Sequence, residues 1–123
     1  MRYLCLGYHD EKQWQAMNAR DRDALMVDLF AFEAMLKKNG HYVQGIGLQG
    51  TETATTLRFE NGRSSITDGP FTETKEQLGG VMVLEANDLN HAIQLMSQMP
   101  CMRVGGSLEI RPINEELTSQ RRT

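Results

Sequence analysis

The chain has 123 residues and a net charge of −3, from 13 basic and 16 acidic side chains. That length suits one domain with a single core, burying roughly two-thirds of the unfolded surface. The acidic balance excludes the clustered basic face of a nucleic-acid binder, and no apolar run approaches the roughly 20 residues of a membrane-spanning helix.

Residues 2–9 alternate as a strand, with Leu4, Leu6 and Tyr8 on one face and Tyr3, Cys5, Gly7 and His9 on the other. The opening residues turn polar too soon for a signal peptide, so the expected location is the cytoplasm. Asp10 to Met17 reads as a loop. Asn18 then caps a helix, with Asp21 and Asp23 placed where negative charge suits the helix dipole. Leu25, Leu29, Phe32 and Leu36 recur at helical spacing, Met26 and Phe30 widen the stripe, and Lys37, Lys38 and Gly40 mark the end. Residues 41–48 form a strand weakened by Gly45 and Gly47. Residues 54–60 and 63–67 flank Asn61-Gly62, the strongest short hairpin signal. Residues 79–86 form a further strand. Asn87 or Asp88 caps a second helix carrying Leu89, Ala92, Ile93 and Met96 and ending at Pro100. A last strand spans 105–112, and the tail from Asn114 is expected to fray.

With the hairpin set aside, the order is β-α-β-β-α-β, a ferredoxin-like α+β fold over residues 1–113 with a tail over 114–123. Both helices cover one face of an antiparallel sheet. Alternation assigns Leu108 and Ile110 to the helices and groups Met82 with Leu84 on one face. The helix-free face is expected to mix Tyr3, Cys5, Val81 and Val83 with His9, Glu85, Glu109 and Arg111. Such a face is too apolar to expose and too charged for a dry core. Two sheets packed face to face in a homodimer, around a polar-lined cavity, resolve both problems.

Chemistry concentrates in few places. Pro70 lacks an N–H, so the usual Asx turn is closed to Asp68 in the run Asp68-Gly69-Pro70-Phe71. Its carboxylate either accepts from the N–H of Phe71 or Thr72 as a turn cap, or points into a pocket as a base or ligand contact. Phe71 reads as a loop anchor in the core, with a stacking platform for a ligand as the alternative. His9, beside Asp10 and Glu11, is a candidate acid–base partner near neutral pH; the bland reading is a surface histidine at a strand end. Glu109 and Arg111 share one side of a strand. With Arg58 they can line a pocket for a small polar or anionic molecule, or form an exposed ion pair worth ~0–1 kcal/mol. His41 and His91 lack ligand spacing, and Cys5 and Cys101 lack a CxxC pattern, so no metal and no cofactor are expected. Gly45-Ile46-Gly47-Leu48-Gln49-Gly50 fits the dinucleotide fingerprint by letter, but the β-branched residues after it do not open a helix.

The run Ile66-Thr67-Asp68-Gly69-Pro70-Phe71-Thr72-Glu73-Thr74-Lys75-Glu76-Gln77-Leu78-Gly79-Gly80 resembles the signature of the YCII-related family in its DGPF branch. Asn18 to Arg22, Thr53 to Arg58 and Gly105 to Ile113 extend the likeness over most of the chain. The resemblance implies a dimeric α+β barrel. In the wider family it also implies a histidine on the first helix paired with an aspartate as a candidate dyad; this chain has no histidine between Asn18 and Asn39. Two functions are therefore expected. One is a cofactor-independent enzyme whose dimer cavity uses Asp68 and His9. The other is a non-catalytic ligand-binding or regulatory accessory protein, with alternative sigma factors as the context the resemblance implies.

Overall fold

A computed structural model describes residues 1–121. In chain order it contains β1 (Arg2–Asp10), α1 (Glu11–Ala16), α2 (Ala19–Lys38), β2 (Tyr42–Gly47), β3 (Thr55–Glu60), β4 (Arg63–Asp68), β5 (Glu76–Glu85), α3 (Leu89–Met96), β6 (Ser107–Pro112) and α4 (Glu115–Arg121). Two helices stand where none is expected. The Asp10 carboxylate accepts from the N–H groups of Lys12 and Gln13 and so starts α1 in place of a loop. Asn114 accepts from Leu117 N–H, and the expected frayed tail is instead helical to Arg121; its last residues, 122–123, lie outside the described residues.

The sheet order β2-β5-β1-β6, antiparallel at every pairing, is the ferredoxin-like arrangement. β3 and β4 form a separate two-stranded sheet. Their turn residues Asn61 (φ 50°) and Gly62 (φ 76°) both lie in the left-handed region that a tight two-residue hairpin demands.

Register settles which side chains meet the helices. Cys5 lies opposite Met82 on one flank and Ile110 on the other. Tyr3, Cys5, Met82 and Leu84 pack with Phe32 and Leu36 of α2 and Ala92 and Met96 of α3, and Leu108 and Ile110 close against this cluster. The first strand is thus phased opposite to expectation: Tyr3, Cys5 and His9 belong to the helix side. Leu4, Leu6 and Tyr8 join Val81, Val83, Glu109 and Arg111 on the helix-free face. A strand with apolar residues on both faces gives alternation nothing to distinguish, and only its partners' register decides. Phe30, expected to widen the α2 stripe, is 59% exposed and lies off it. The glycines of the apparent dinucleotide fingerprint run through β2 into a single 3-10 turn at Thr51–Thr53, not into a helix.

Candidate functional site

The helix-free face ends in a cleft of about 560 Å³. Its floor is the sheet's end, where Tyr8 faces Leu78 and Glu76 begins β5. One wall is the segment 48–54, contributing Leu48, Gln49, Thr51 and Thr53; the other is the segment 70–74, contributing Pro70, Phe71, Thr72 and Thr74.

Each wall is pinned by side chains the cleft does not use. Glu11 accepts from Thr51 N–H at 2.9 Å and from its hydroxyl at 2.7 Å, tying the first wall to α1. Both carboxylate oxygens are engaged, so these are charge-assisted bonds. The second wall hangs from the hairpin. Gly69 N–H donates to Ala54 O at 2.8 Å, Thr56 Oγ1 donates to Gly69 O at 2.8 Å, and Arg58 Nη2 donates to Phe71 O at 2.9 Å. Gly69 sits at φ 117°, where an L side chain is strained, so the turn needs glycine there. Thr56 is the buried polar residue of the described chain, at 8% exposure.

These bonds displace one of the two readings of Asp68. It ends β4 opposite Thr55, exposed, and among the described residues its carboxylate accepts no hydrogen bond. The expected cap to Phe71 or Thr72 N–H is not formed; β3 holds the turn instead. Phe71 corrects a second expectation, being 74% exposed rather than a core anchor. Arg58 lies over its ring at 5.2 Å from the centroid, so this candidate pair does come together. Glu109 and Arg111 also meet, at 4.0 Å, with both side chains more than half exposed. Tyr8 Oη reaches Glu109 Oε1 at 3.4 Å.

Among the described residues no hydrogen bond or ion pair joins His9 to Asp68. The His9 ring packs edge-on to Trp14 of α1, with centroids 6.4 Å apart. Gly79, the extra residue where the β1–β5 register shifts, makes room for it: a Cβ there would lie 2.5 Å from the imidazole. Neither His9 nor Asp68 lines the cleft, and the Asp10 carboxylate beside His9 is spent on the α1 cap. Of the six candidates, Phe71 alone is in the cleft wall.

Tyr8, Glu76, Glu11, Thr51 and Thr56 shape the cleft without belonging to any motif expected to carry chemistry. A signal existed for Glu11: Asp10 followed by Glu11 is a helix start, with acid in the first turn. None marked Thr56, whose role depends on a loop 13 residues away. Among the described residues, no group of three or more His, Cys, Asp or Glu side chains could hold a metal ion, and no helix is long and apolar enough to cross a membrane.

A family model, the YCII-related domain, matches residues 1–116. The chain is also similar to an uncharacterised protein of Rhizobium meliloti (strain 1021), at 32% identity over 114 residues, which covers 92% of each chain.

Proposed function

The chain belongs to the YCII-related family, and on that footing we propose that it binds a small molecule in the cleft at the end of the helix-free face, with a second copy packed over that face. The observation that carries this is the construction of the cleft. The two loops are fixed by Glu11, Thr56 and Arg58 from outside the cleft and joined at one end by the Gly69–Ala54 bond, so the cavity exists before a ligand arrives, and a preformed site avoids the ordering cost of binding. Leu4, Leu6, Val81 and Val83 share the adjoining face with the half-exposed Ile46; a partner copy would cover them and close the cleft mouth. The proposal includes a cytoplasmic location, where the free thiols Cys5 and Cys101 stay reduced.

A second reading keeps Asp68 and His9 as an acid–base pair of a cofactor-independent enzyme. One observation favours it: the Asp68 carboxylate has no protein hydrogen bond among the described residues, so it is free for a substrate or for a partner copy. His9 would have to leave its place between Trp14 and Gly79 to join it.

Light scattering at micromolar concentration tests the first reading. We expect a dimer, and Leu6→Glu, which sets a charge in the middle of the face, should give a folded monomer of 13.9 kDa. A wild-type monomer would sink the face-to-face arrangement.

A further inference from the structure

We infer that the cleft selects a small organic cation, an amine or quaternary ammonium group carried on an apolar body; this rests on the ligand-binding reading above. The pocket expected for a small polar or anionic molecule rests on Arg58, Glu109 and Arg111, and none of the three lines the cleft. Arg58 donates to the Phe71 carbonyl and covers one side of the Phe71 ring. Arg111 lies beside Glu109 on the open face. Among the described residues no Lys, Arg or His side chain lines the cleft; Lys75 lines an adjoining hollow that shares Tyr8 and Glu76 with it.

Negative charge, by contrast, is part of the lining itself. Glu76 lines the cleft directly, and among the described residues its carboxylate has only the Ser107 hydroxyl as a partner, at 3.3 Å. Glu109 touches the Tyr8 hydroxyl but is paired with Arg111, and Glu11 gives both its oxygens to Thr51, so Glu76 is the carboxylate a ligand would meet. An anion placed there would face the Glu76 carboxylate with no cationic lining residue among those described. A cation gains a charge-assisted bond to Glu76. The Tyr8 ring adds a surface whose π-electrons attract positive charge, whereas the Phe71 ring is already taken by Arg58. Leu48, Ala54, Pro70 and Leu78 supply the apolar lining that an alkyl or aryl body would fill.

Three probes of one shape separate the possibilities: benzylamine, benzyl alcohol and benzoate, titrated into the full-length protein and followed by amide chemical shifts. We expect benzylamine to bind at least about tenfold tighter than benzoate, moving the signals of Thr51, Thr72 and Gln77, with the preference shrinking as salt rises. Glu76→Gln, an exposed substitution that leaves the fold intact, should bring benzylamine down to the level of benzyl alcohol. Benzoate binding as tightly as benzylamine, or an unchanged preference in Glu76→Gln, would overturn the cation assignment and leave the binding reading standing. No shift with any of the three would overturn both.

Discussion

The four-stranded sheet and the β3–β4 hairpin use similar strand residues and are held by different forces. Where the sheet meets its helices, Leu84 of β5 and Leu36 of α2 are fully buried, and Tyr3 and Cys5 of β1 nearly so. In the hairpin, Leu57, Phe59 and Ile66 are 50%, 75% and 73% exposed. A two-stranded hairpin is marginal alone, and this one is fixed at its base by the bonds from Ala54, Thr56 and Arg58 to the 69–71 turn. Burial therefore sets the fold, while directional polar bonds set the wall of the cleft. A ligand site gains from that division, because the wall can change without the core.

The sharpest way to break the comparison is to truncate a side chain on each side of it. Leu36→Ala should cost about 2–5 kcal/mol in urea unfolding, since it opens a cavity in close-packed surroundings. Phe59→Ala should change stability by less than about 0.5 kcal/mol. A larger loss at Phe59 would mean that something covers the apolar side of the hairpin.

The core also holds a thiol whose ionisation burial opposes. Burial pushes the Cys5 thiol up to about 11 from its ordinary value of 9.0. As pH rises, the unfolded chain loses that proton first. The stability held by the neutral buried thiol is therefore complete below about pH 9 and declines between about pH 9 and 11. Comparing unfolding at pH 8 and pH 10, wild type should lose about 1 kcal/mol more than Cys5→Ala does. Equal losses in the two proteins would place the thiol in water.

At the hairpin's base, Thr56→Val keeps the shape and removes the hydroxyl that donates to Gly69 O. A part-buried carbonyl is left short of a donor, for an expected cost of about 1–2 kcal/mol. The amide signals of Phe71 and Thr72 should broaden while those of β1 and β5 do not. Broadening throughout would merge the two regions into one cooperative unit.

The same division explains what the sequence shows and what it hides. Local signals were enough for α2, whose Asn18 accepts from Asp21 N–H as its cap, and for the Asn61-Gly62 turn, both confirmed by geometry. The ferredoxin-like order followed from the sequence of elements. The phase of β1 did not, because Tyr3, Leu4, Cys5 and Leu6 are apolar on both sides and the choice between faces is made by Met82 and Ile110, far along the chain. The site was harder still. The carboxylates and guanidiniums that stand out by type are exposed or paired with one another. The cleft is instead shaped by Glu11 reaching Thr51 and by Thr56 reaching Gly69, contacts 40 and 13 residues apart in sequence. No spacing rule links such pairs.

The smallest expected effect on stability is at Asp68. A capping carboxylate would lose about 0.5–2 kcal/mol on going to Ala and recover it in Asn, which still accepts a backbone bond. Since no such bond is present among the described residues, Asp68→Asn and Asp68→Ala should both unfold within about 0.5 kcal/mol of wild type. Exposure also removes any desolvation cost, so neutralising the carboxylate should not raise stability either. What remains to separate the two functional readings is activity. If the protein only binds, both variants should keep benzylamine affinity within about twofold, because Asp68 does not line the cleft. Should Asp68 act as the acid–base group of an enzyme, turnover found on a broad substrate panel would vanish in Asp68→Asn while the fold and the dimer persist. A destabilised Asp68→Ala rescued by Asn would instead restore the cap, and with it a structural role for the residue.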